Sequence, residues 1–338
     1  MCACMHDSVS RRDVLKAAAA LGLGVVVGVP KIAQGADLRD LKVGYQLGAQ
    51  LHQWMFPLGK EKKLFEAAGF KVKGQEFASV GIMAQHLAVN EMDFGLMGLT
   101  AVMLAKAQGS DVVIIGTQNQ GGSALVVAPE IQKFEDLKDL PVAHTGVGAV
   151  QHALLTHMTK KFNTPVKMVT VSPTDMITFA KNQEVKAVQV YEPFAAMISM
   201  RVPGWKRLIL DTDILPGNQC CVIATSKTFA KKHPDVVEKF LTVNVTTTQQ
   251  IRSNPEDSIK IIAKASGYDE AVTADAYKYV KFPWAPVVNE TSAKTVLGWL
   301  VESGKIDSSI VKPDLEAWWK DLYDPTFEDK LRASGLFT

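Results

Sequence analysis

Apolar and polar positions along this chain alternate in two rhythms. From Phe77 to Thr100 (FASVGIMAQHLAVNEMDFGLMGLT) a short apolar run breaks at Ser79, Val80 and Gly81. Apolar residues then recur at helical spacing from Ile82 to Val89 and stop at Asn90-Glu91, and a second apolar run, Phe94 to Met97, ends at Gly98. Short apolar runs bounded by turn residues signal strands, and the period between them signals a helix, so the stretch predicts one βαβ unit. Val169 to Phe194 (VTVSPTDMITFAKNQEVKAVQVYEPF) repeats the layout, with Ser172, Met176 and Glu184 standing where the first stretch has Ser79, Met83 and Glu91. A parallel βαβ unit brings the loops after its strands to one sheet edge. Two such units far apart predict two similar α/β lobes that offer loops and helix N-termini to a common cleft. One large α/β domain with repeated crossovers is the plainer alternative.

The rest of the chain fills in around these units. Leu41 to Tyr45 reads as a strand, Gln46 to Pro57 as a loop, Lys60 to Ala68 as an amphipathic helix stopped by Gly69, and Phe70 to Phe77 as a strand. A helix from Ala101 to Gln108 and a buried strand at Val112–Ile115 follow, then a polar, flexible run from Gln118 to Ser123 and a strand from Ala124 to Val127. Ile131 to Asp139 is a helix or turn anchored by Leu137. Strands are expected at Val142–His144, Arg207–Leu210 and Asn218–Ala224. One long helix is expected from Phe229 to Ile251, with four more at 255–265, 271–279, 292–303 and 313–322. Trp284, Trp299, Trp318 and Trp319 read as packing anchors. Crossings at Gln118–Ser123 and Asn218–Ala224 give a first lobe of residues 36–121 plus 222–338 and a second of residues 122–221.

Composition narrows the class. The 338 residues allow one long or two ordinary domains, and 47% hydrophobic with 21% charged residues suits a globular protein with a sizeable core. The net charge of +2 is carried by the first 35 residues, and the remaining 33 basic and 33 acidic residues cancel, which argues against a nucleic-acid partner. Ser10-Arg11-Arg12-Asp13-Val14-Leu15-Lys16 resembles the twin-arginine export motif, with Val14 where a Phe is usual. An apolar run, Ala17 to Val29, and the small residues Ala33-Gln34-Gly35 complete the parts of a signal peptide over residues 1–35. The apolar run is short for an ordinary spanning helix. The expectation is export by the twin-arginine machinery to the periplasm or the outer face of the cytoplasmic membrane.

Several residues carry candidate chemistry. Gln46 and Trp54 set an amide beside a large aromatic, a common ligand contact. Thr145-Gly146-Val147-Gly148 opens a helix that runs to about Phe162, and glycines there let backbone N–H groups approach an anion. The pattern is neither a dinucleotide fingerprint nor a phosphate loop, and an ordinary turn is the alternative. Glu192 could pair with an amine on a ligand or cap a helix. Cys220 and Cys221 fall on opposite faces of a strand by alternation and read as two buried thiols. His152 and His157 are five apart and do not share a helical face, so with His144 they make no metal site. No nucleophile–His–acid order stands out, and no catalytic residue, metal or cofactor is expected.

The order and spacing of several segments resemble the type II solute-binding proteins of ABC importers, in the nitrate, sulfonate and taurine group. They are Val43-Gly44-Tyr45-Gln46, Lys60 to Phe70, the Ser79 loop, Asn90 to Gly95 with Gly98, Asp136-Leu137-Lys138, Thr145 to Gly148 with His152, Tyr191-Glu192-Pro193 and His233-Pro234. The likeness runs from Val43 to about Trp319. It implies two lobes, each a mostly parallel sheet flanked by helices, joined by two crossover strands and closing on a small solute. It further implies ligand contacts from Gln46, Trp54, Ser79, Gly98, Thr100, Gln118, Thr145, Gly146, Gly148, Tyr191 and Glu192, with permease and ATPase subunits as partners. Helix N-termini after Ser79, Thr100 and Gly148 would hold an acidic group such as a sulfonate. Trp54 with Met55, Met83 and Met97 would cover an apolar part. Two rivals share the fold: a thiamine-pyrimidine synthase, whose longer cysteine cluster falls near Cys220-Cys221, and a ligand-sensing domain of a membrane receptor.

Overall fold

Among the described residues, eleven strands form two sheets. In chain order they are β1 (Arg39–Gln46), β2 (Phe70–Phe77), β3 (Phe94–Gly98), β4 (Val113–Gly121), β5 (Ser123–Val127), β6 (Pro141–His144), β7 (Lys167–Thr170), β8 (Ala187–Tyr191), β9 (Lys206–Leu210), β10 (Gln219–Thr225) and β11 (Val280–Lys281). The structure is a computed structural model that describes residues 38–283 and 285–337. The expected signal peptide, Cys2, Cys4 and Trp284 lie outside the described residues.

The first sheet has the order β11-β4-β10-β3-β1-β2 and the second β7-β6-β8-β5-β9. β1 lies between β2 and β3 and is parallel to both, and β6 lies between β7 and β8 in the same way. Each βαβ unit seen in the sequence therefore straddles the strand that precedes it, and the two lobes repeat one plan. The rest of each sheet is antiparallel, with β10 between β3 and β4, β11 on β4, and β5 between β8 and β9, so neither sheet is the mostly parallel one expected. β5 and β8 are buried along their whole length, which explains why they read as continuous apolar runs.

The connections between the sheets are tight. β4 ends at Gly121 (φ +67°) and β5 starts after Gly122 (φ +90°). A Cβ at Gly122 would stand 2.6 Å from the His52 ring, so this step needs glycine twice over, for its backbone and for its space. Return to the first sheet comes through β10, whose pairing starts at Gln219.

Four expectations change. Lys60–Ala68 is not one helix: Met55–Glu61 and Leu64–Ala67 are separate, broken where Lys63 takes a left-handed φ of +54°. The first helix reaches back into the expected loop because Met55, Phe56 and Leu58 are buried there. Gln118 to Gln120 are not flexible, since β4 continues through them and their polarity is matched by buried partners such as Asn244 and Gln219. The long helix divides into Lys227–Lys232 and Pro234–Ser253, because proline at the first helical position excludes His233 from an unbroken helix. Finally, Pro255–Ser266 and Glu270–Tyr277 pack on the second sheet, where Ile262, Val272 and Ala276 share a core with Val188, Phe194 and Ile198. Residues expected in the first lobe thus complete the second.

The first sheet is covered on both faces. Phe94 stacks on Phe240 at 3.8 Å on one side, with Phe65 and Phe229 beside them. Met83, Leu87, Met97 and Leu297 fill the other. Trp319 is an anchor as expected, buried with Nε1 donating to Glu290 at 2.7 Å. Met55, Met83 and Met97, expected to cover an apolar part of a ligand, are wholly buried in the cores on the two faces of this sheet. Among the described residues no helix is long and apolar enough to cross a membrane.

Near the C-terminus, Tyr323 donates to the buried Glu328 at 2.7 Å, and burial pushes the Glu328 carboxyl up to about 8. A raised carboxyl favours the fold while it stays protonated and loses that contribution as pH climbs through the folded value. Glu328→Gln should therefore gain on the wild type between about pH 4.5 and about pH 8 in a thermal melt. A difference that does not grow over that window would contradict the assignment.

Candidate ligand-binding site

The ends of β1, β3 and β8 place Gln46, Gly98 and Tyr191 around one cavity between the two sheets. Ligand sites in open α/β sheets sit at such carboxyl ends. Thr100, His52 and Val80 add to the first-lobe wall, and Ala149, Val150 and Gln151 come from the second. Cys220 and Cys221, at the start of β10, close the floor. The enclosed space is about 30 Å³, room for a few waters at most.

Three helices begin at this cavity: Val80–Ala88 after Ser79, Leu99–Ala107 after Gly98, and Val150–Lys161 after Ala149. Ser79 caps the first, accepting from Ile82 N at 3.4 Å. No side chain caps the other two. Free N–H groups at a helix start carry partial positive charge. The residues lining the cavity include no acid, lysine or arginine. The buried Thr100 hydroxyl has no hydrogen-bond partner among the described residues.

The lobes also touch here. Gln46 Nε2 donates to the Tyr191 hydroxyl at 3.2 Å, and that hydroxyl donates to Leu47 O at 3.4 Å. Burial pushes the Tyr191 phenol far up, so it stays a donor. Gly148 (φ +90°) packs on the first lobe, where a Cβ would stand 2.8 Å from Leu104 Cδ1.

Of the residues expected to meet a ligand, Gln46, Gly98, Thr100 and Tyr191 line the cavity. Ser79 and Gly148 sit just behind it at the helix starts. Thr145 turns to Gln151, donating to its Oε1 at 3.1 Å, while Gln151 Nε2 donates to Ser123 at 2.8 Å. Gly146 N donates to His144 at 3.1 Å, and its Cβ position faces open space. Three residues lie away from the cavity. Trp54 is buried edge-on against Phe282 at 4.8 Å. Gln118 donates to Asn244 at 2.7 Å beneath the long helix. Glu192 is sealed, accepting from Arg207 Nε at 2.9 Å and from Ala196 N at 2.9 Å, so it has a protein cation where a ligand amine was considered. Burial pushes its carboxyl up to about 7 against the pull of Arg207.

His52 falls in the loop from Gln46 to Trp54 that the resemblance implies for binding, whereas Gln151 and the two cysteines were not among the expected contacts. The cysteines do not occupy opposite faces. The β10–β4 register slips there, with Cys220 the extra residue on one strand and Gln118 on the other, and such a bulge re-aims side chains. Both thiols consequently meet His52. The available signal was the amide run Gln118-Asn119-Gln120 facing Gln219, too polar for a regular buried ladder. His144 and His152 do come together, rings 4.8 Å apart, and burial pushes His152 down to about 4. His157 stacks on Trp299.

Two α/β lobes meet with a cavity between the carboxyl ends of their strands. The chain belongs to the NMT1/THI5-like family, whose model matches residues 54–258. It is 23% identical over 282 residues to the taurine-binding periplasmic protein of Escherichia coli (strain K12), covering 78% of this chain and 81% of that one. Among solved structures, the periplasmic nitrate-binding protein NrtA from Synechocystis PCC 6803 superposes with a TM-score of 0.76 at 13% identity, covering 89% and 90%. The periplasmic aliphatic sulphonate binding protein SsuA from Escherichia coli gives 0.69 at 22% identity, covering 80% and 94%. These likenesses establish the periplasmic-binding-protein fold.

Arg207 ties this site to its support, bridging Glu192 and Asp275 at 2.8 Å each and lying 4.0 Å from the Tyr279 ring. Removing one partner of a buried pair strands the other charge, at about 3–5 kcal/mol. Arg207→Met should lower unfolding free energy in urea by about that much, and Glu192→Met with Arg207→Met should cost less than the single change. A loss under about 1 kcal/mol for the single change would show that the pair does little.

Proposed function

We propose that the chain is the extracytoplasmic solute-binding component of an ABC import system and captures a small acidic solute of the sulfonate, taurine or nitrate kind. The observation that supports this reading most directly is the meeting of three helix starts from both lobes at a cavity lined without Asp, Glu, Lys or Arg. An anion there is held by N–H groups and hydroxyls. Each helix start is worth something like 0.3–1 kcal/mol at an exposed site and up to about 2 kcal/mol when partly buried. The taurine-binding relative and the sulphonate- and nitrate-binding structures fit the same chemistry.

The solute enters while the lobes are apart, because the enclosed volume is too small for an alkanesulfonate, and contacts from both lobes then favour closure. The protein binds without turnover, and the closed form is what a permease and its ATPase recognise. Export through the twin-arginine pathway, carried by Arg11 and Arg12, delivers it outside the cytoplasm. In this reading the lobes hinge at Gly121-Gly122 and just before Gln219.

Isothermal titration of the purified chain against taurine, short alkanesulfonates and nitrate tests the reading, with neutral molecules of similar size as controls. Anions should bind and neutral molecules should not; the reverse preference would overturn it. Thr100→Val, which keeps the shape and removes the hydroxyl, should weaken anion binding by about 1.5–3 kcal/mol, at least roughly tenfold in Kd. Unchanged affinity would take Thr100 out of the site.

A further inference from the structure

The floor of the cleft holds a cluster that anion capture does not use. Cys220 Sγ lies 3.6 Å from Cys221 Sγ and 3.6 Å from His52 Nδ1, and Cys221 Sγ lies 4.0 Å from the same nitrogen. All three side chains are buried and both cysteines are free thiols. Among the described residues this is the one group of three or more His, Cys, Asp and Glu whose ligand atoms converge. Zinc bonds of about 2.3 Å to sulfur and about 2.0–2.1 Å to nitrogen, set tetrahedrally, put S···S near 3.8 Å and S···N near 3.5 Å. The observed distances lie within about 0.5 Å of those edges.

We propose that His52, Cys220 and Cys221 form a three-ligand site for a thiophilic d10 cation of the Zn²⁺ or Cu⁺ kind, with its fourth position open to the cleft. Thiolate and imidazole donors select such ions over Mg²⁺ or Ca²⁺. Two thiolates and a neutral imidazole around a dication sum to zero charge, which a buried wall tolerates better than a bare ion. Binding releases the two thiol protons to solvent.

The surroundings fit this use. His52 Nδ1 now accepts from Asn119 Nδ2 at 3.1 Å, and an ion taking its place leaves that amide bonded to Gly121 O at 3.0 Å. With Nδ1 as ligand the ring proton sits on Nε2, the tautomer that acceptance from Asn119 already sets, and since no described residue meets Nε2 its outer partner would be a water. Gly122 and the Tyr191 edge, 5.6 Å away, fix the ring plane. The bulge that brings both sulfurs to one side disrupts a central strand pairing, which a purely structural pair of thiols does not require. The inference does not rest on the anion reading.

The test uses the full chain with Cys2→Ser and Cys4→Ser, so that no other thiol competes. Reduced protein is titrated with Co²⁺ and then with Zn²⁺. The expected result is one equivalent of Co²⁺ with thiolate-to-cobalt charge-transfer and tetrahedral d–d absorption, displaced by Zn²⁺ and untouched by Mg²⁺. Cys220→Ser and Cys221→Ser should each weaken Co²⁺ binding beyond the roughly 10- to 100-fold that loss of an outer-shell partner costs. His52→Gln should weaken it while keeping the charge-transfer band. No band with wild-type thiols, or a band that survives both serine changes, overturns the proposal. Should a serine variant not fold, alkylation of the unmutated Cys220 and Cys221 decides. Zn²⁺ must slow it, and an unchanged rate leaves hydrogen-bonded thiols with no ion.

Discussion

The structure depends on one topological constraint: the direct step from the first sheet to the second is a sharp glycine turn, and the carboxyl ends of their strands are held facing each other. Gly121 and Gly122 make the outward step with backbone angles that other residues adopt at a cost, and β10 makes the return. Everything that gives the cleft its chemistry follows from that placement. Each parallel half ends its strands at the cleft, and the helices that follow must start there, with their free N–H groups pointing in. The free N–H groups at the cavity are thus a by-product of strand direction, and the Gln46 amide and the unpartnered Thr100 hydroxyl stand beside them.

The same constraint explains why the second lobe borrows helices. A five-stranded sheet spanning residues 123–210 leaves an apolar face open, and Pro255–Ser266 and Glu270–Tyr277 cover it. Arg207 then locks Glu270–Tyr277 to the end of β8 through Asp275 and Glu192. Support and cavity wall therefore meet at adjacent residues, since Tyr191 faces the cavity and Glu192 faces the lock.

Much of this was legible in the sequence. The two βαβ units, the strand ends at Gly98 and Tyr191, and the helix starts after Ser79 and Gly148 follow from periodicity and turn residues alone. Less local features were not. Glu192 and Gln118 looked like ligand contacts because an isolated polar residue near a strand end does not reveal Arg207 or Asn244, which lie 15 and 126 residues away. Trp54 looked like a cover for a ligand, whereas its partner Phe282 is supplied by a late segment that returns to the first sheet. The thiol cluster was hidden by the assumption of regular alternation, which a single bulged residue reverses.

The central claim is that two lobes part and close around a solute. Small-angle X-ray scattering of the purified chain, with and without a sulfonate whose binding calorimetry has established, measures this directly. The account predicts a smaller radius of gyration with ligand, as an open population shifts to the closed one. Identical scattering curves at saturating ligand would show one rigid body and contradict it.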